Sequence, residues 1–210
     1  MTENIAVLTH SSIRIQDAGR TIYIDPFKVE GDPKDADFIL VTHDHFDHFS
    51  PEDIAKIAKA NTILIAPEKM AKKAQEAADM VGEIKTVRPA ESYEIAGLKI
   101  ETVPAYNMLK PFHPKKAGWV GYILEIGGKR VYIAGDTDAT KEAEQVDCDI
   151  AMIPIGGTYT MDAKKAAKLI NAMKPAVAIP THYGSIAGKP EDGETFAKLV
   201  EAPVEVELKI

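Results

Sequence analysis

Residues 42–49 read THDHFDHF, which puts His43, His45 and His48, three of the chain's six histidines, in one loop beside Asp44 and Asp47. Neutral imidazole and carboxylate are the usual ligands of zinc, manganese and iron. His43 and His45 are two apart, so an extended backbone directs both to the same side. Asp47 and His48 follow where the chain must turn toward a helix. One loop can therefore offer two ligand pairs to two neighbouring ions. Ligands crowded on one loop leave coordination positions open, as a catalytic ion needs and a structural ion does not. The bland alternative is a polar surface loop, since short motifs are weak on their own.

Further polar residues stand directly after strand-like runs: Asp136 in YIAGDTD, His182 in AIPTHYG and His10 in NIAVLTH. Singly, each would be read as a turn or cap residue. His10 is a candidate for supporting a ligand or touching substrate, with a partly buried, backbone-satisfied histidine as the alternative. Around His113 the segment KPFHPKK gathers Lys110, Lys115 and Lys116. On an acidic chain such a loop can steer an anionic substrate, although a solvated loop is the ordinary reading. Gly156 and Gly157 permit close backbone approach, and Tyr159 and Tyr183 are candidate pocket walls, although core packing is the ordinary role of such residues.

These residues need elements to position them. NIAVLTH, SIRIQDAG and TIYID read as strands, with a hairpin turn at DAGR. ADFILVTH is a strand buried on both faces. SPEDIAKIAKA opens like a helix, with Ser50 as cap and Pro51 in the first turn. TILIAPE is the next strand and EKMAKKAQEAADM a second helix. IKTVRPA, ESYEIAG, LKIETVPA, GWVGYILEIGG and KRVYIAGD are β again. CDIAMIPIGG, DAKKAAKLINAM, PAVAIPTHYG, EDGETFAKLVEA and VEVELKI then alternate strand and helix. Ala105–Gly118 is the longest irregular stretch, and such a loop is more often functional than idle. Two β-rich stretches, each followed by β/α units, predict an α/β fold: a four-layer αββα sandwich in a single domain over residues 1–210.

The chain has 210 residues, 25 Lys and Arg against 32 Asp and Glu, and a net charge of −7. That argues against a broad nucleic-acid surface, which would be basic. The one cysteine, Cys148, excludes an internal disulfide and a cysteine-rich zinc site. Its expected role is that of a small buried hydrophobe. There is no apolar run of membrane-span length, and MTENIAVLTH lacks the look of a leader. The expectation is a cytoplasmic protein with no membrane partner. The oligomeric state is left open, a homo-oligomer included.

The pattern His43-x-His45-x-Asp47-His48, with Asp136 in GDTD and His182 in THYG, resembles the metallo-β-lactamase superfamily over essentially the whole chain. IYIDPF resembles its first motif. LTHSS and the segment PIGGTYTMDAKKAAKLINAMKPAVAIPTHYG resemble a branch of metal-dependent hydrolases related to ascorbate-6-phosphate lactonases. The resemblance implies the αββα fold and two divalent metal ions, zinc first, with manganese or iron also compatible. It implies His43 and His45 on one ion, Asp47, His48 and His182 on the other, and Asp136 between them. It implies Asp25 in support of the histidine loop. One more histidine is expected on the first ion. His113 fills that place, with Asn107 the alternative as a residue that orients a ligand or substrate.

The resemblance also implies a hydroxide, formed from a water shared by the ions, as nucleophile, with Asp47 orienting it or relaying a proton. The expected reaction is hydrolysis of an ester-type bond, lactone or phosphoester, in a small anionic metabolite. Asp47 and Asp136 are then the catalytic carboxylates, and Lys115, Lys116 and Tyr183 join His10, Asp25 and Asn107 as supporting or substrate-contacting candidates. The competing readings are a phosphodiesterase or nuclease of the same superfamily and a non-enzymatic, metal-stabilised binding protein. A di-iron redox member is disfavoured by His45, where that group carries glutamate, and by the lack of a flavin domain.

Overall fold

The computed structural model describes residues 2–210. The chain divides into two compact units, Met1–Arg88 and Pro89–Ile210.

The first unit is a six-stranded mixed sheet in the order β1-β2-β3-β4-β5-β6. Strands β1 (Ile5–Thr9), β2 (Ser12–Asp17) and β3 (Arg20–Ile24) form an antiparallel meander. Ala18 and Gly19 both have positive φ (48° and 79°), so the β2–β3 hairpin closes on the two-residue turn whose twist matches its strands. Strands β4 (Ala36–Leu40), β5 (Ala58–Pro67) and β6 (Glu83–Val87) then add in parallel. Parallel strands need crossovers, and helix α1 (Pro51–Ile57) supplies the one from β4 to β5. Ser50 caps it by accepting from the Asp53 amide. The helix stops at Ile57, earlier than the sequence pattern suggests. Ala58 is already extended and pairs with Ala36, and Thr62 Oγ1 donates to the Ala36 carbonyl (2.6 Å). Sheet pairing takes residues that helical periodicity would have kept.

The second predicted helix of this unit is only a four-residue α-turn, α2 (Ala71–Ala74), between 3₁₀ turns at Glu68–Met70 and Gln75–Ala77. None of the three has a side-chain cap. Met70, Ala74 and Ala77 still fall on one buried face, so the apolar period survives while the hydrogen bonds tighten.

The second unit is a seven-stranded mixed sheet, β13-β12-β11-β10-β9-β8-β7. Strands β7 (Ser92–Ile95), β8 (Leu98–Pro104), β9 (Val120–Ile126) and β10 (Lys129–Ile133) are antiparallel, and β11 (Ile150–Pro154), β12 (Val177–Thr181) and β13 (Glu205–Val206) add in parallel. The last strand is far shorter than VEVELKI suggests, because only Glu205 and Val206 pair in register with β12. A short helix, α3 (Lys141–Glu144), capped by Thr140, lies where no element was predicted. Helix α4 (Ala163–Met173) is capped by Asp162 and buries Ala163, Ala166, Ala167 and Ile170, the spacing of one helical face. Helix α5 (Glu191–Leu199) buries Phe196 beside it in a core shared with Tyr132, Ile153, Met161 and Leu169. Among the described residues, no helix is long and apolar enough to cross a membrane.

Candidate metal centre

In the first unit the candidate ligands gather beyond the carboxyl end of β4. Asp25 follows β3 with a positive φ of 47° and is almost fully buried. Its carboxylate accepts from the Thr42 amide, the Thr42 hydroxyl and His48 Nδ1, each at 2.7 Å. These bonds fix tautomers. A carboxylate only accepts, so His48 carries its proton on Nδ1 and presents a lone pair at Nε2. Thr42 has given its one hydrogen to Asp25, so its oxygen accepts from His43 Nδ1 (2.9 Å), and His43 too presents Nε2. His43 Nε2 lies 3.2 Å from His45 Nδ1. Two nitrogens about 2.1 Å from one tetrahedral zinc would stand roughly 3.4 Å apart, so this pair fits one ion. The amides of His48 and Phe49 both donate to the His45 carbonyl, which turns the loop; His48 lies against His43 with ring centroids 3.9 Å apart, and Asp47 Oδ2 is 3.6 Å from His48 Nε2. His10, wholly buried, donates from Nε2 to Asp47 Oδ2 at 3.1 Å.

In the second unit Asp136 follows β10, His182 follows β12, and His113 comes from the loop between β8 and β9. All three are buried. His182 Nε2 and His113 Nε2 stand 3.1 and 3.3 Å from the same oxygen, Asp136 Oδ2. Asn107 governs His113. Its Oδ1 accepts from His113 Nδ1 (3.0 Å) and from the His113 amide (3.2 Å), while its Nδ2 donates to the Tyr159 carbonyl (3.0 Å). With Nδ1 protonated, the neutral ring aims a lone pair at a carboxylate. That arrangement is repulsive unless a cation lies between them. A second proton on the buried His113 ring would place an imidazolium ion out of water, at high desolvation cost. A shared metal ion satisfies all three groups, so the donor set fits the expected ions.

His182 depends on a glycine. Its φ is 57°, and a Cβ at Gly156 would lie 2.3 Å from the His182 carbonyl oxygen and 3.0 Å from its Nδ1. Close approach at IGG, anticipated from the sequence, is thus observed.

A sequence profile described as "Beta-lactamase superfamily domain" matches residues 4–182. A UPF0173 metal-dependent hydrolase of Pyrococcus abyssi is 34% identical, over 93% of this chain and 91% of its own. The chain belongs to the metallo-β-lactamase superfamily, in the UPF0173 metal-dependent hydrolase family. The crystal structure of a Parabacteroides distasonis protein, named as a metal-dependent hydrolase, is similar to this UPF0173 chain with a TM-score of 0.84 and 33% identity, over 97% of this chain and 91% of that one. The metallo-β-lactamase fold protein YhfI of Bacillus subtilis, only 10% identical, still gives 0.75 over 97% and 90%. The fold is therefore the α/β metallo-β-lactamase fold that the histidine pattern implied, with two mixed sheets and flanking helices.

The structure of this UPF0173 chain places three more of the candidate side chains. Tyr183 is 2% exposed and packs in the second unit's core with its ring against Gly193, so it is no pocket wall. The same burial raises its phenol pKa. Lys115 bonds Glu142 Oε1 at 2.7 Å and lies over the Tyr106 ring; that hydrogen bond is the main reason the Glu142 carboxyl falls to about 2. Lys110 is turned into the carbonyls of Gly157 (2.8 Å) and Thr160. Lys115 and Lys116 both stay exposed on that loop, Lys115 in a surface pair with Glu142. Two residues escaped the sequence reading: Thr42, which relays Asp25 to His43, and Asp138, which accepts from the Met108 amide (3.0 Å) and anchors the His113 loop. Thr42 adjoins the HxH pair and was within reach of inspection, whereas Asp138 carries no local signal.

Proposed function

We propose that this chain is a binuclear metal-dependent hydrolase that cleaves an ester-type bond, a lactone or a phosphoester, in a small anionic metabolite. The observation that carries the reading is the pair of imidazoles, His113 and His182, aimed at one carboxylate oxygen of Asp136. The ligand assignment is the one the superfamily motif implies: His43, His45 and His113 on one ion, Asp47, His48 and His182 on the other, Asp136 between them. Zinc suits the histidine-rich set best, and manganese or iron is also compatible. Bound ions of this kind acidify water and polarise the oxygen under attack.

The chain's own residues do the rest. Asp25 and Thr42 hold the protons of His48 and His43 away from the faces that bind metal. Asn107 does the same for His113. Asp47, oriented by His10, is the carboxylate placed to hold a proton during bond cleavage. Lys116, with Lys115 exposed beside it in its pair with Glu142, is placed to meet an anionic group. The likeness of the LTHSS and PIGGTYT segments to ascorbate-6-phosphate lactonases supports the lactone among the candidate bonds.

The test pairs metal content with a substrate panel. Elemental analysis after supply of zinc, manganese or iron is expected to give two ions per chain. Phosphorylated lactones are expected to be turned over faster than unphosphorylated lactones or simple phosphodiesters. Asp136→Ala should abolish turnover, and activity that survives this substitution would remove the mechanism.

A further inference from the structure

The loop that carries His113 turns Lys110 inward and its apolar side chains outward. Leu109 is 97% exposed, Met108 58% and Phe112 41%. Tyr159, on the facing turn, is 36% exposed and meets Phe112 edge to face with ring centroids 4.9 Å apart. Exposed apolar side chains grouped in this way mark interaction sites rather than ordinary surface. The patch is also fixed in place. Asn107 Nδ2 donates to the Tyr159 carbonyl, Lys110 Nζ to those of Gly157 and Thr160, and the Met108 amide to Asp138. The Asn107 bond that ties Tyr159 to the loop belongs to the same amide that orients His113. A rigid apolar rim is therefore built onto a ligand-bearing loop. In the first unit the histidine loop likewise leaves Phe46 68% exposed, next to His45.

We infer that Met108, Leu109, Phe112 and Tyr159 form a specificity rim that binds an apolar group of the substrate, so that the preferred substrate is an amphiphilic anion with an acyl or aryl portion. The inference rests on the hydrolase reading above and narrows its substrate class. The rim's rigidity favours this occupant, because an apolar contact held by the bonds that orient His113 positions the bond to be cleaved as well as adding affinity.

Trp119, the chain's one tryptophan, stands edge to face with His113 at 5.5 Å and reports on this loop. The experiment titrates straight-chain carboxylates, acetate to octanoate, into zinc-loaded protein while following Trp119 fluorescence. Acyl-ester hydrolysis over the same chain lengths is measured in parallel. Affinity is expected to rise about two- to fourfold per methylene, the upper figure corresponding to full burial of a CH₂. Leu109→Ser with Phe112→Ser should flatten that slope. Leu109→Ser alone, at a fully solvated position, provides the reduced slope if the double variant folds poorly. A flat slope in the unmodified protein overturns the rim. So does an equal slope in the variants, or self-association in sedimentation that the variants abolish, since the patch would then serve a second copy of the chain. A steep slope with no hydrolysis of any ester, lactone or phosphoester leaves the rim standing and removes the hydrolase reading instead.

Discussion

Asn107 decides which nitrogen of His113 carries a proton, and a histidine with the wrong tautomer is no ligand. Asn107→Ala is therefore expected to lower metal affinity about 10- to 100-fold, the usual cost of losing an orienting partner. Asn107→Asp, which keeps an acceptor for Nδ1, should stay closer to the parent. His113→Ala should cost more than either. Competition against a chromophoric chelator at fixed pH ranks the four proteins, and parental affinity in Asn107→Ala would set the relay aside. Cys148 offers a test outside the site. Burial, aided by the charge of Asp147, pushes its thiol from 9.0 to about 12. The folded state thus holds a proton that the unfolded chain has lost across that window, so stability is full below pH 9 and declines toward pH 12. Cys148→Ala should remove that part of the alkaline decline in urea midpoints measured at pH 8 and pH 10.5. Native protein should also resist thiol reagents at pH 7 until denatured. Rapid labelling of folded protein would contradict the burial.

At the scale of elements, the carboxyl ends of β4, β10 and β12 each deliver a candidate ligand, and β11 delivers the glycine that His182 needs. Gly156→Ala would drive a methyl group against the His182 backbone. Overpacking of this kind costs about 1–3 kcal/mol, so lower unfolding midpoints are expected together with weaker metal binding and an unchanged far-UV spectrum. If stability falls but metal affinity holds, Gly156 serves packing alone. The elements read best from sequence were those with two agreeing signals. Helix α1 had both a cap at Ser50 and Pro51 in its first turn, and the β2–β3 hairpin had both strand-like runs and the turn at Ala18-Gly19. Where one signal stood alone, competition decided. The EKMAKKAQEAADM segment had the period but no cap, and it broke into 3₁₀ turns. Ala58 had helical propensity, yet pairing with Ala36 claimed it for β5.

At the scale of the whole molecule, the candidate ligands were legible because metal chemistry restricts them to few residue types, and HDHFDH concentrates them in one loop. Their supports were less so. Asp25 was readable through its motif, but Asp138 and the inward turn of Lys110 depend on contacts 30 to 50 residues apart that leave no local pattern. The partners of the lysines around His113 were hidden for the same reason, since carbonyls at Gly157 and Thr160 bind Lys110 and the carboxylate of Glu142 pairs with Lys115. The candidate ligands fall in both compact units, with His43, His45, Asp47 and His48 in the first and His113, Asp136 and His182 in the second. If one centre uses all seven, metal binding becomes folding free energy common to both. Zinc at a thousandfold excess over its dissociation constant would add about 4 kcal/mol, or about 10 °C in Tm for a chain of this size. Chelation should lower Tm by that order, zinc should restore it, and Asp136→Ala should show little response to either. The two units can be followed separately, the second by Trp119 fluorescence and the first by hydrogen exchange of the Thr42 and Val41 amides, which donate to Asp25 and Ile65. Chelation is expected to loosen both reporters over the same range of free zinc. Loosening of one alone, with metal shown to be lost, would mean that each unit keeps its own ligands and that no ion is shared.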